Sequence, residues 1–364
     1  MSPPLDIHPL SAWIPATGGP PVIAGPCSAE SEEQVLETAR SVASLPWVKV
    51  FRAGIWKPRT RPGAFEGVGT EGLRWLQKAR TETGMLLTVE VANPRHVEEA
   101  LAHGIDILWI GARTVVNPFS VQEIGEAIGG RDIPVMVKNP LNPDLKTWLG
   151  AIERLHAMGH RKIAAVHRGF SFFNRSPYRN APMWEIPIEL KRLHPTLPVI
   201  TDPSHICGSC ELIPATMQKS LDLEMDGLMV ETHCCPQKAL TDRNQQLTPA
   251  QLAEHFGRLV LRRENPGEGF EQKLEELRSE IDKLDEELID ILARRMKVVE
   301  EIGAYKKENR ITILQIRRWR QLMDDRTEAG VRLGLSRDFI LKLLETVHEE
   351  GIRRQIDVMN REGE

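Results

Sequence analysis

Eight short apolar runs recur along the first two-thirds of the chain, separated by segments of different periodicity. They are 21–27 (PVIAGPC), 48–54 (VKVFRAG), 86–92 (LLTVEVA), 106–112 (DILWIGA), 134–140 (PVMVKNP), 162–168 (KIAAVHR), 198–204 (PVITDPS) and 227–233 (GLMVETH). Brief continuous runs rich in Val and Ile read as strands buried on both faces. Between them, 30–44, 70–83, 94–103, 144–158 and 210–222 carry apolar residues at helical spacing. Eight strands alternating with helices over about 240 residues predict a (β/α)8 barrel, an α/β fold. A doubly wound open sheet is the alternative. It would require a Gly-rich dinucleotide turn after the first run, and none stands there.

The character of the chain changes after residue 262. Seven of the eight Trp lie before that point, whereas 270–364 contains no Pro and is dense in Glu, Lys, Arg and Leu. The segment 263–269 (RENPGEG) reads as a linker. The expected organisation is a barrel at 1–262, the linker, and a small all-α domain at 270–364. A net charge of -4 offers nothing to nucleic acid or an acidic membrane. No apolar run approaches the ~18 residues of a membrane span. No secretion signal is visible and only five Cys are present, so a cytoplasmic protein with reduced thiols is expected.

Catalysis in a barrel of this kind sits at the C-terminal ends of the strands. Those ends carry Cys27, Arg52, Lys57, Arg59, Glu90, Arg113, Lys138, Arg168, Asp202, His205, Glu231, His233 and Asp242. A single Lys or Arg at a strand end is ordinarily a solvated loop charge. Six converging on one mouth would repel each other unless a multiply charged anion is bound there. Arg offers bidentate forks for phosphate and carboxylate. Cys27, His205, Glu231 and Asp242 form a mixed soft and hard donor set. It suits Mn, Fe, Co or Zn better than Ca or Mg, the alternative being a buried structural Cys and a core His. Cys207, Cys210, Cys234 and Cys235 are either loop thiols or, with His233, ligands of a structural zinc.

The motifs G-P-C-S (25–28), R-x4-K-P-R-T (52–60), I-G-A-R (110–113), V-K-N-P (137–140), H-R-G-F (167–170), D-P-S-H (202–205) and E-x10-D (231/242) occur in order at these strand ends. This region resembles 3-deoxy-D-arabino-heptulosonate 7-phosphate (DAHP) synthase, in its short type Iβ form. The resemblance implies condensation of phosphoenolpyruvate with erythrose 4-phosphate and loss of phosphate. It implies that Cys27, His205, Glu231 and Asp242 hold a divalent metal. Arg113, Lys138 and Arg168 would clamp phosphoenolpyruvate, with Arg52 and Lys57 beside its carboxylate and Glu90 orienting a water or a cation. Lys57 would also protonate the nascent alkoxide, and Pro58, Arg59 and Thr60 would receive the aldose phosphate. The related eight-carbon sugar synthases carry K-A-N-R-S-S where this chain has K-P-R-T, which favours the shorter sugar.

In the tail, Leu274, Ile281, Leu288, Arg295 and Ile302 recur every seven residues, with Leu277, Leu284, Ile291 and Val298 in the alternate row. The spacing predicts an amphipathic helix of about 36 residues. A dimerising coiled coil is the simplest reading, yet Arg295 sits on the seam and Lys306 follows Ile302, and burying cations needs an anion. A helix is expected at about 313–329, with Gln315 and Arg318 on one face. Another is expected from near Ser336, with Ile340, Leu344, Val347, Gly351, Gln355 and Val358 in one stripe. Gly351 weakens that helix, so its presence predicts that something needs the space.

L-R-x2-I (277–281), A-R-R (293–295), G-A-Y-K (303–306), Q-x2-R (315–318) and Glu349, Glu350 and Gln355 make this tail similar to the all-helical chorismate mutases. That resemblance implies that Arg278, Arg295 and Arg318, beside Gln315, grip the carboxylates of chorismate. Lys306 and Gln355 would hydrogen-bond the ether oxygen as prephenate forms. Arg278 and Arg295 are ~26 Å apart along a straight helix, so a homodimer through this domain with shared sites is expected. Trp319 stands where many members have a Glu, and Gly351 where Ser is common. With the first strand starting near residue 21, feedback control of the barrel is expected to come from the tail.

Overall fold

The computed structural model describes residues 5–58, 63, 65–173, 176–262, 268–314 and 316–361. The chain divides into two compact units, Met1–Arg262 and Arg263–Glu364. Among the described residues of the first, eight parallel strands close into a barrel in sequence order. They are β1 Val22–Gly25, β2 Val48–Arg52, β3 Leu86–Val91, β4 Ile107–Ile110, β5 Val135–Lys138, β6 Ile163–His167, β7 Val199–Thr201 and β8 Gly227–Glu231. β1 pairs with β8, which closes the ring and removes every sheet edge. The architecture is the (β/α)8 barrel, and the open-sheet alternative falls away.

Side-chain caps start several of the intervening helices. Ser31 accepts from Gln34 N, Asn93 from His96 N and Asp144 from Thr147 N, while Thr248 and Gln251 satisfy each other's backbone in a reciprocal box. Within the strands, the two-residue period separates two cores. Ile23, Val50, Ile107, Trp109, Met136, Val166, Ile200 and Met229 fill the interior with Leu10, Trp13 and Ile14. Phe51, Leu108, Ile110, Val135, Val137, Ala165, Leu228 and Val230 pack in the other core with the helices. The next inward positions after Val50, Met136, Val166, Ile200 and Met229 are therefore Arg52, Lys138, Arg168, Asp202 and Glu231.

The second unit contains the helices Glu268–Glu308, Ile316–Arg332 and Arg337–Asn360. The middle helix runs about three residues beyond the expected 313–329. Residues 311–314 are not helical because the chain turns at Arg310 (φ +54°), and the helix stops before Gly334 (φ +86°). Arg337–Asn360 is capped by Ser336, which accepts from Phe339 N. Leu277, Ile281, Leu284, Leu288, Ile291, Val298 and Ile302 are 43–57% exposed, so most of the long helix's seam is uncovered. A Cβ on Gly351 would meet Val299 at 3.6 Å and Arg295 at 3.8 Å, which is ordinary contact, so the packed helices themselves leave room there. Among the described residues, no helix is long and apolar enough to cross a membrane.

Candidate functional site

At the mouth of the barrel, three donors converge. The Cys27 thiol, a Glu231 oxygen and an Asp242 oxygen all lie within 4.8 Å of one another. His205 Nε2 is 3.7 Å from Glu231 Oε1, at the edge of this group. Its other nitrogen, Nδ1, is 2.8 Å from Asp202 Oδ2, an ion-pair approach rather than an aligned hydrogen bond. Asp202 also caps the short helix Pro203–Cys207 by accepting from His205 N. A thiol, two carboxylates and an imidazole turned by a carboxylate fit a divalent transition ion. Burial, followed by the Glu231 charge, pushes the Cys27 thiol up to about 12. Burial alone would raise Glu231, yet His205 and Arg52 outweigh it and hold the carboxyl below its usual range.

Two buried ion pairs flank the donors. Arg52 Nη2 donates to Glu231 at 3.1 Å, and Lys138 Nζ donates to Asp202 at 2.8 Å. Arg52 Nε and Nη1 are buried with no acceptor. Arg168 bonds Asn180 Oδ1 at 2.9 Å. Burial, together with Arg179 and Arg113, presses its guanidinium down to about 10 despite the opposing pull of Asp202. Positive charge from Arg113 and Arg179 acting on the buried Arg168 favours an anion beside it. Lys57 Nζ lies 3.3 Å from Cys27 Sγ. Glu90 accepts from the Trp109 indole at 3.3 Å. Pro58 follows Lys57 at the same mouth, while Arg59 and Thr60 lie outside the described residues.

Sequence reasoning missed the groups that hold the ligands in place. Arg179 donates to Asp242 Oδ1 at 2.8 Å and to Gln245 Oε1 at 2.7 Å. Gln245 in turn donates to Glu231 at 2.7 Å, and Gln246 Oε1 accepts from Cys27 N at 2.9 Å. Arg179 and Gln246 lie on loops and Gln245 ends a single 3-10 turn, where no periodicity distinguishes a ligand-holding amide from a solvated one. The remaining thiols take other roles: Cys207 pairs with Thr216, and Cys210 donates to the carbonyls of Asn244 and Gln246. Among the described residues, they do not join His233 in a compact ligand group.

In the helical unit, Arg295 reaches the Val347 carbonyl at 3.5 Å, and Lys306 Nζ donates to Gln355 Oε1 at 3.1 Å. Burial lowers the pKa of both cations. Arg278 is exposed on the same helix, weakly paired with Glu275 at 3.8 Å, and Arg318 is exposed on the middle helix. Gln315 lies outside the described residues. Trp319 stacks on His348 with centroids 3.6 Å apart. His348 is depressed by burial and by Arg295 and Lys306, so it belongs to this cluster. Its position seven residues before Gln355 placed it on the same helix face, a signal the stripe through Gly351 obscured.

Comparison with known proteins agrees with the two units. Residues 14–260 match the DAHP synthetase I family, and residues 277–356 match chorismate mutase type II. A phospho-2-dehydro-3-deoxyheptonate aldolase of Thermotoga maritima is 34% identical over 226 residues, 62% of this chain and 64% of that protein. The matched part thus spans less than two-thirds of that relative. A 2-dehydro-3-deoxyphosphooctonate aldolase of Acidithiobacillus ferrooxidans is 29% identical over 240 residues, 61% of this chain and 81% of its own. The crystal structure of the T. maritima DAHP synthase has a TM-score of 0.60 and 31% identity, covering 66% of this chain and 68% of that one. On these matches the chain belongs to the DAHP synthetase I family and carries a chorismate mutase type II domain behind its barrel.

Proposed function

We propose that the barrel condenses phosphoenolpyruvate with erythrose 4-phosphate to give DAHP and inorganic phosphate. The observation that carries this is the pair of buried cations Arg52 and Lys138, with Arg52 Nε and Nη1 left without an acceptor, beside the Cys27, Glu231 and Asp242 donors. Arg113, Lys138 and Arg168 hold the phosphoenolpyruvate phosphate, and the unpartnered donors of Arg52 face its carboxylate. The divalent ion of Mn, Fe, Co or Zn held by Cys27, His205, Glu231 and Asp242 supplies Lewis acidity toward the aldehyde when bound. Lys57 donates the proton that the new alkoxide takes up. Glu90 orients a water or a cation in the clamp. Pro58, Arg59 and Thr60 receive the four-carbon sugar phosphate. Phosphate release should require erythrose 4-phosphate; turnover with arabinose 5-phosphate in its place would overturn this choice of substrate.

The helical unit is proposed to rearrange chorismate to prephenate in a homodimer. Arg278 and Arg295 are ~26 Å apart along a straight helix, too far for one small dianion, so Arg278 serves the partner's site. The uncovered seam of Glu268–Glu308 is the dimer surface. Arg295, with Gln315 and Arg318, holds the carboxylates, while Lys306 and Gln355 stabilise the charge growing on the ether oxygen. Mixed Arg278→Ala and Arg295→Ala chains should recover about a quarter of wild-type activity, since half the dimers then have one intact site in two. No recovery despite proven chain exchange would refute the shared site. A second reading, in which the tail binds but scarcely rearranges its ligand, is favoured by the Trp319–His348 stack and would show as slow loss of chorismate.

The same domain is proposed as the feedback sensor of the barrel, in a cytoplasmic enzyme. Prephenate inhibition requires different affinity for two states of the protein, and ~1–3 kcal/mol of coupling suffices. Arg295→Ala in the full chain should abolish inhibition of the synthase by prephenate. Unchanged sensitivity would place the sensor in the barrel.

A further inference from the structure

We infer that Trp109 is a positioning residue for the synthase reaction, its indole setting the arrangement of Arg52, Lys138 and Glu90. The inference rests on the proposed role of that mouth in binding phosphoenolpyruvate. Trp109 is fully buried on β4 and points inward with Ile107. It lies in register with Glu90 of β3 and Met136 of β5. One level below the charged ring of the mouth, the other inward strand side chains include Val50, Met136, Val166, Ile200 and Met229. β4 alone in this group supplies a ring.

That ring touches three charged groups. Arg52 Cζ is 5.1 Å and Lys138 Nζ 5.8 Å from its centroid, both within cation–π range. Its N–H donates to Glu90 Oε2 at 3.3 Å. Water cannot screen the two cations, because Arg52 is 1% and Lys138 5% exposed. Each has one carboxylate, Glu231 or Asp202. Arg52 nevertheless keeps Nε and Nη1 without an acceptor. The electron-rich indole face attracts both cations in addition to these carboxylates, and it does so without consuming a donor. It therefore holds their free N–H groups available for an incoming anion. A carboxylate in its place would bind those donors and compete with substrate; an aliphatic side chain would leave the cations unsupported.

The two functions of the indole separate by substitution. Trp109→Phe keeps a π face and removes the N–H. Trp109→Leu removes both. In the full-length enzyme, Trp109→Leu should raise KM for phosphoenolpyruvate about tenfold and leave KM for erythrose 4-phosphate nearly unchanged. Trp109→Phe should restore KM for phosphoenolpyruvate to near the wild-type value while kcat stays reduced, through Glu90. If Trp109→Leu does not fold, Trp109→Met fills more of the space and is read in the same way. An equal rise in both KM values, or no rescue by Phe, would reduce Trp109 to a packing residue and overturn the inference. A wild-type enzyme that does not turn over these substrates would instead overturn the proposed function, so the two failures are distinguishable.

Discussion

Lys57 Nζ stands 3.3 Å from Cys27 Sγ, and Gly54 is the residue that lets it fold back there. A Cβ on Gly54 would collide with the end of the Lys57 side chain and with the Cys27 carbonyl oxygen. The backbone oxygen cannot yield, so Lys57 would be displaced. Gly54→Ala should lower the synthase kcat by about 10²–10⁴, as expected for loss of a positioned proton donor. Chorismate turnover by the same preparation should be unchanged, and a parallel loss would point to misfolding.

Arg179 holds Asp242 from a loop 63 residues earlier in the chain. Groups that orient a metal ligand commonly contribute 10–100-fold to affinity. Arg179→Ala should therefore weaken metal binding by about that factor, read by competition with a chromophoric chelator. Synthase activity should be abolished by chelation and restored by excess divalent ion in both proteins.

Asp202 is fully buried between Lys138 and His205. Burial favours its neutral form, but His205, when protonated, and Lys138 outweigh it and hold the carboxyl well below its usual value. The stabilisation is therefore complete above the unfolded pKa of ~3.9 and is lost as pH falls through the lower folded value. Asp202→Asn should cost about 3–5 kcal/mol at neutral pH, because it strands Lys138 in the interior. Denaturant titrations should show the gap between wild type and variant closing below about pH 4.

Gly351 is buried in a helix with room for a methyl group, the nearest contact being Val299 at 3.6 Å. Gly351→Ala should stabilise the helical unit by about 0.5–1 kcal/mol, through the unfolded chain's lost freedom. A lower melting temperature would mean that the bundle is tighter here than these contacts imply.

Gln355 meets Lys306 at 3.1 Å in the helical unit. Its amide can donate a hydrogen bond at any pH, whereas a Glu donates only when protonated, ordinarily below about pH 4–5. Gln355→Glu should retain mutase activity under acidic conditions and lose it toward neutrality. A flat pH profile would remove Gln355 from the site.

The barrel was legible in the primary structure because its chemistry obeys the strand period. Arg52, Lys138, Arg168, Asp202 and Glu231 each stand two residues beyond an inward apolar residue, so alternation alone aims them at one mouth. The heptad of the tail was legible for the same reason: Arg295 interrupts a seam that can be counted. Folding in three dimensions settled what has no period. The clasp of Arg179, Gln245 and Gln246 around the ligands joins loops, and Trp319 meets His348 across two helices. The room beside Gly351 depends on how Val299 and Arg295 pack. Local spacing dictates which way a side chain points along its own strand or helix. Which group it then meets depends on distances between segments far apart in the chain, and those are fixed by packing.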